Sequence, residues 1–268
     1  ENNYSYSFDL FIVNSEGDIL ASDSCSSQCD TTANLVTAGL PSSGIYYVLV
    51  RSSSSSGAPS GSYTFSATYS DNTTNYELEP NNSKDTAQSL ISGTGVVGGI
   101  SLASDQDWYS ISVDSASSLS VSFETEDNNY SYSFDFEILD NLGNVLASDS
   151  CSSQCDTAAN LLTAGLSTAG TYYIRVLSSS SYGAPSGSYG VTLTVSGATG
   201  GVEIEPNDET AQVVTSGESI VGSLSSADDL DWYAIEVGAS GALGVSFETE
   251  ENNYSYSFDL FIVNSEGD

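Results

Sequence analysis

Alternation of apolar and polar positions runs through most of this chain and predicts strands rather than helices. At its start Tyr4, Tyr6, Phe8, Leu10 and Ile12 alternate with Ser5, Ser7 and Asp9. A period of two gives an extended segment one apolar and one polar face. Asn14-Ser-Glu-Gly-Asp18 then carries turn chemistry ahead of a second apolar run, Ile19-Leu-Ala21, which predicts a hairpin. Farther on, Gly44–Val50 reads as a buried strand, a Ser/Gly/Pro loop spans 52–62, and Ser62–Tyr69 alternates again. The fullest series lies in the middle of the chain. Strands are predicted at Val96–Ile100, Trp108–Val113, Leu119–Glu124, Tyr130–Leu139, Val145–Ser148, Asn160–Ala164, Gly170–Leu177 and Ser188–Val195. Turn signals separate them and 3.6-residue periodicity is nearly absent. Such a series predicts an all-β, two-layer antiparallel sandwich and not a βαβ fold.

The text also repeats. Residues 1–18 are identical to residues 251–268, and a close variant starts at Asp127. The spacings are 126 (127 − 1) and 124 (251 − 127) positions, about one small domain. Cys25-Ser-Ser-Gln-Cys29 returns as Cys151-Ser-Ser-Gln-Cys155, and Glu77-Leu-Glu-Pro-Asn81 as Glu203-Ile-Glu-Pro-Asn207. Asp105-Gln-Asp-Trp-Tyr109 returns as Asp229-Leu-Asp-Trp-Tyr233, now offset by 124 because two residues are lost near 83–85. The expected organisation is a C-terminal part of one sandwich at 1–76, a complete sandwich at 77–197, and an N-terminal part of a third at 203–268. A following repeat would complete that third unit, and Gly197-Ala-Thr-Gly-Gly201 is a short linker. The chain starts mid-pattern without Met, so it is expected to be a window of a longer exported protein. Two explanations fit its complementary end portions: a long covalent array, or subunits that exchange half-domains. The array is preferred, because exchanging subunits would each carry a redundant copy of one strand.

Charge narrows the partners. Acidic residues number 36 against three basic ones, Arg51, Lys84 and Arg175, for a net charge of −33. That excludes nucleic acid and anionic membrane as partners and suits divalent cations, a salty medium or plain solubility. The absence of His excludes a Ser-His-Asp triad, and so few basic residues argue against phosphate chemistry. Paired carboxylates leave a glycosidase formally open, yet no catalytic constellation stands out and no enzyme is expected. No apolar run reaches the ~18–20 residues of a membrane span. Without His to complete a zinc site, the cysteines are expected as disulfides Cys25–Cys29 and Cys151–Cys155. Free thiols or bridges between neighbouring repeats are the alternatives. Sequons begin at Asn3, Asn72, Asn81, Asn129 and Asn253, and all but Asn81 are candidates for N-glycosylation.

Three motifs taken together resemble a known family. Glu77-Leu-Glu-Pro-Asn-Asn82, Asp105-Gln-Asp-Trp-Tyr109 and Gly170-Thr-Tyr-Tyr-Ile-Arg-Val176 resemble the bacterial pre-peptidase C-terminal domain, a β-sandwich found beside secreted proteases. The collagen-binding domains of bacterial collagenases are similar. The resemblance implies tandem jelly-roll or Ig-like sandwiches of about 120–126 residues and a calcium site where the E-x-E-x-N segment meets the D-x-D loop. The matching positions are Glu77, Glu79, Asn81, Asp105 and Asp107, with Glu203, Glu205, Asn207, Asp229 and Asp231 in the next copy. Their chemistry agrees, since calcium takes six to eight oxygens and needs neither nitrogen nor sulfur. Asn82 and Asp208 are substitutes. The competing reading is a set of solvated linker acids with an Asx-turn at Asn81.

Trp108 and Trp232 read as core residues rather than ligand-binding aromatics. Phe11 and Phe261 stand where the middle unit has Glu137, and an exposed apolar side chain there would seat a neighbouring domain. Repetition of one unit points to a calcium-stiffened shaft of an extracellular fibre, stalk or adhesin at the cell surface, its partners identical repeats head to tail. The alternative is an accessory module of a secreted protease that binds a protein or polysaccharide ligand.

Overall fold

The computed structural model describes residues 7–26, 37–52, 63–71, 75–125, 133–152, 160–179, 188–197, 200–249 and 258–264. Three strands come first: β1 (Ser7–Val13), β2 (Ile19–Ser26) and β3 (Tyr47–Ser52). The predicted hairpin forms between β1 and β2. Asn14 Oδ1 accepts the backbone N–H groups of Glu16 and Asp18 at 3.0 and 2.8 Å, and Gly17 takes the positive φ of 95° that the turn requires. In this sheet β1 is central, flanked by β2 and β3.

Nine strands follow in the middle of the chain. After a 3₁₀ turn at Lys84–Thr86 come β4 (Gln88–Ser89), β5 (Gly95–Gly98), β6 (Gln106–Val113), β7 (Ser117–Thr125), β8 (Ser133–Leu139), β9 (Val145–Ser152), β10 (Asn160–Leu166), β11 (Gly170–Ser178) and β12 (Tyr189–Ser196). They form two sheets, in the orders β10-β7-β12-β5 and β4-β6-β11-β8-β9. Every pairing is antiparallel except β4 with β6. All eight strands predicted for this region are present, and the two-residue β4 is the one the alternation missed.

Period-two patterning decides which side chains meet. Leu119, Val121 and Phe123 of β7 and Tyr189, Val191 and Leu193 of β12 bury against Tyr109, Ile111 and Val113 of β6 and Tyr172, Ile174 and Val176 of β11. Phe123 stacks on Phe136 at 4.7 Å and on Tyr189 at 5.2 Å, which concentrates the aromatic part of the core at one end. Burying such a side chain contributes about 1.5–3 kcal/mol. Trp108 is buried as expected, but its parity puts it on the outer face of its sheet, outside that core. There Arg175 lies 5.4 Å from the ring centre and Tyr173 meets it edge-on.

Several expectations fail at the two ends of the chain. Gly44–Val50 is not a buried strand: pairing begins at Tyr47, and Ile45, Tyr47, Val48 and Leu49 are exposed. Residues 63–69 form no strand. Trp232 is exposed rather than in a core. Only β13 (Gln212–Val214) and β14 (Tyr233–Ile235) form beyond residue 200 among the described residues, and they pair in parallel as β4 and β6 do. In the middle sandwich the equivalent of Val48, Ile174, is buried between the sheets and the equivalent of Trp232, Trp108, lies under Arg175, while Ile45, Tyr47 and Leu49 correspond to Thr171, Tyr173 and Arg175, which lie outside the core. Phe11 is 5% exposed and lies under Arg51, 4.7 Å from the ring centre, so it offers no free seat for a neighbour. Its twin Phe261, in identical text, is 76% exposed. Residues 236–268 are a separate compact unit with no strand among the described residues; within it Phe247 and Phe258 pack at 5.3 Å. No helix among the described residues is long and apolar enough to cross a membrane. The expected disulfides and the sequons at Asn3, Asn72, Asn129 and Asn253 lie outside the residues and side chains described.

Candidate metal centre

Where the chain enters the middle sandwich it runs extended beside β5, with Glu77 N–H donating to Val97 O at 2.9 Å. Gln88 holds the segment in place, accepting from Leu78 N–H at 2.8 Å and donating to Tyr76 O at 3.1 Å. Trp108 N–H donates to Asn81 O at 3.1 Å, which ties the segment to the start of β6. The glutamates at alternate positions therefore turn to the same side, toward Asp107, which shares the inner parity of Tyr109.

All five predicted residues of this copy are buried: Glu77, Glu79, Asn81, Asp105 and Asp107. They are not solvated linker acids, and the competing reading fails on that point. Glu77 accepts from Gly99 N–H at 2.9 Å, from Asn81 Nδ2 at 2.8 Å and from the Tyr109 hydroxyl at 2.9 Å. Asn81 N–H donates to Glu79 Oε2 at 2.9 Å, and Tyr189 donates to Asp107 Oδ2 at 2.6 Å. Asp105 stands slightly apart, accepting from both the backbone N–H and the hydroxyl of Ser101 at 2.7 Å. Gly98 lies so near that a Cβ there would sit 2.8 Å from Glu77 Oε2 and 2.7 Å from the Tyr189 oxygen.

After these bonds are counted, three buried oxygens take none: Glu79 Oε1, Asn81 Oδ1 and Asp107 Oδ1. Leaving such acceptors unmet costs about 1–3 kcal/mol each, more when charged. Glu77, Glu79 and Asp107 each offer an oxygen within 4.8 Å of the others, the span that two calcium–oxygen bonds of about 2.4 Å bridge. Protein cations do not balance these charges. Arg51 pairs with Asp9 and Arg175 with Glu137, while Lys84 donates to Asn141 O, and the chain has no other basic residue. Burial, reinforced by the negative charges of Glu77 and Asp105, pushes the Glu79 carboxyl up to about 8. Burial likewise raises Glu77 and Asp107. Burial also raises the Tyr109 and Tyr189 phenols, so both stay protonated as donors. The cluster can hold a divalent cation or, failing that, protons.

The second copy repeats the arrangement. Asn207 Nδ2 donates to Glu203 at 2.9 Å, Ser223 N–H to Glu203 at 2.8 Å, and Tyr233 to Glu203 at 2.5 Å. Gln212 accepts from Ile204 N–H and donates to Val202 O as Gln88 does in its own copy. Glu205 Oε1 and Asp231 Oδ1 take no hydrogen bond. Glu203, Glu205 and Asp231 form one candidate group, and Glu205, Asp208 and Asp229 another. Burial pushes Asp231 up to about 8 and Glu205 to about 7. This copy is more open: Glu205 and Asp231 are half-buried, where Glu79 and Asp107 are buried. Asn82, by contrast, caps the loop by accepting Gln106 N–H. Sequence reasoning missed Gln88, Ser101, Tyr109 and Tyr189. Gln88 and Tyr109 left a trace, since T-A-Q and D-W-Y both recur in the second copy.

Comparison with known proteins gives a family match. Residues 105–178 match the family model of the bacterial pre-peptidase C-terminal domain, which bears out the resemblance over that stretch. No curated protein matches. Among solved structures, the pre-peptidase C-terminal domain of collagenase from Bacillus anthracis is 19% identical, with 40% of this chain and 94% of that chain covered and a TM-score of 0.31. CsCBM6-3 from Clostridium stercorarium, in complex with cellobiose, is 19% identical over 44% of this chain and 84% of that chain, TM-score 0.25. A beta-glucosidase from Paenibacillus barengoltzii is 12% identical over 43% of this chain and 12% of its own, TM-score 0.24. The sandwich assignment rests on the strand pairing described above and not on these likenesses.

Proposed function

We propose that this chain, with its pre-peptidase C-terminal match, is a segment of an extracellular array of β-sandwich repeats whose joints are clasped by calcium. Its role is then mechanical and not catalytic. One observation carries this reading: the acid-bearing segment docks on the preceding unit twice, through equivalent residues. Leu78 bridges to Gly39, and Ile204 bridges to Gly165, whose N–H donates to Glu203 O at 2.7 Å. The D-x-D side touches the preceding unit as well. Ser22 donates to Ser101 O at 3.2 Å, and Ser148 donates to Ser225 O at 3.4 Å. Both glycines approach so closely that a Cβ would overlap the backbone carbonyl of Glu77 or Glu203.

The same two segments thus supply the carboxylates on one side and the joint on the other. An ion bound among Glu77, Glu79, Asn81 and Asp107 fixes the backbone whose outer edge meets Gly39 and Ser22. Asp105 holds Ser101 in position for that contact. Calcium suits the all-oxygen donor set and its spacing, with backbone carbonyls or water completing the shell. The disulfide and glycan expectations belong to the same extracellular setting.

The test is mechanical. Excess chelator should shorten the persistence of the array in electron micrographs, lower its melting temperature and open the joints to protease. Unchanged stiffness, melting and cleavage in chelator would overturn the clasp. The family match favours a second reading, an accessory module of a secreted protease that binds a protein or polysaccharide. Micrographs of the native material separate the two, because an accessory module forms no long regular thread.

A further inference from the structure

Each acid cluster is carried on backbone that two units hold at once. On its own side, Glu203 N–H donates to Val221 O at 2.9 Å, and Gln212 grips Ile204 and Val202. On the other side stands the preceding sandwich. Gly165 N–H donates to Glu203 O at 2.7 Å, and the bridge from Gly165 falls on Ile204, between Glu203 and Glu205. A second path starts at Ser148, whose hydroxyl donates to Ser225 O at 3.4 Å; Ser225 N–H in turn donates to Asp229. The earlier joint repeats both paths. Gly39 bridges to Leu78, between Glu77 and Glu79, and Ser22 reaches Asp105 through Ser101.

We propose that the preceding unit sets the cation affinity of the cluster that follows it, so that opening a joint weakens the hold on the ion beside it. This deepens the calcium reading above and rests on it. Gly165 and Ser148 are positioning residues: neither offers a carboxylate, and each acts through the backbone of a segment that does. A ligand set held along both edges is spared the ordering that a free segment undergoes on binding. Coupling between two binding events is reciprocal by thermodynamic necessity. If a cation fixes the joint, the joint must tighten the cation.

The grip is separable from the rest of the fold. Gly165 belongs to β10, an edge strand of the four-stranded sheet, and Ser148 to β9, an edge strand of the five-stranded sheet. The grip therefore needs both sheets of the middle sandwich closed on each other, yet takes nothing from its core. Beside these contacts the joint is loosely filled. A cavity of about 150 Å³ lies between Thr168 and Tyr172 on one side and Glu205 and Pro206 on the other. Few contacts must break for the joint to open while both neighbours stay folded. A taut array then holds its cations less firmly than a slack one.

The 268-residue chain is titrated with calcium by calorimetry, and Asp107→Asn and Asp231→Asn assign the steps of the titration to the two clusters. Gly165→Ala, whose Cβ overlaps the Glu203 carbonyl, should weaken uptake at the second cluster by about 5- to 150-fold and leave the first unchanged. Gly39→Ala should do the reverse. Gly190→Ala, whose Cβ meets Glu124 at an ordinary 4.0 Å, should alter neither. The wild-type chain supplies a reading that no substitution disturbs. Saturating calcium should slow exchange of the Gly165 amide with solvent by a comparable factor, because that N–H is the joint's own donor. Equal affinities in all forms, or Gly165 exchange indifferent to calcium, would overturn the proposal. If chelator still softens the array in that case, the clasp stands and only the coupling falls. A chain that takes up no calcium overturns both.

Discussion

Tyr189 donates its hydroxyl to Asp107 across 2.6 Å, joining residues 82 positions apart in the chain. The same ring stacks on Phe123, so one side chain links the aromatic core to the acid cluster. Tyr189→Phe keeps the ring and removes the donor, leaving a second Asp107 oxygen unmet. Stability to denaturant should fall by about 1–3 kcal/mol, whereas a loss under about 0.5 kcal/mol would mean that Asp107 finds another donor.

The raised carboxyls set a pH dependence with a definite sign. Glu79 and Asp231 are pushed to about 8 in the fold, while unfolded carboxyls titrate near 4. Between those values the metal-free fold binds protons that the unfolded chain does not. Stability from these groups is therefore complete below about pH 4 and falls as pH rises through about 8. Melting temperature measured in chelator should decrease over that range, and added calcium should reverse the decrease and release protons. A melting temperature that climbs from pH 5 to 8 in chelator would contradict burial as the cause.

At the joint, Gly165→Ala forces the Glu203 carbonyl away from its contact. The substitution should loosen the joint without unfolding the sandwich: protease cutting near residues 197–201 speeds up, and the main melting transition stays within about 1 kcal/mol of its original stability. Gly39→Ala should act the same way at the preceding joint. Cutting at the wild-type rate in both variants would show that the close approach is not needed.

Arg175 both pairs with Glu137, at 2.7 Å, and covers Trp108. Arg175→Lys keeps the charge but loses the planar stack and the fork. It should destabilise by about 1 kcal/mol and redden the Trp108 emission, with Arg175→Ala costing more. Equal stability of all three forms would leave the indole held by packing alone.

Much of the fold was legible because alternation is a local signal: Leu119, Val121 and Phe123 announce a strand whatever lies opposite. What alternation cannot say is whether a partner sheet arrives. Residues 8–13 and 258–263 have the same text, yet only the first copy has β2 and β3 beside it and becomes a strand. Trp232 was read as buried for the same reason, because D-W-Y is local and the covering Arg is not. In the candidate site the carboxylates and Asn81 could be read from two short motifs. Tyr189 could not, since it reaches Asp107 only after two sheets have closed on each other. Phe11 misled because its position looked polar, and Arg51 covers it from two strands' distance in the text.

The position of β1 has a consequence for timing. Residues 251–268 duplicate its text, so a chemically equal replacement travels with every molecule. Because β1 lies between β2 and β3, with seven and six paired rows on its two sides, the duplicate cannot zip on at a margin. It must wait for a rare opening of nearly the whole sheet, and the original occupant keeps its seat through slowness of exchange instead of any preference for one copy over the other.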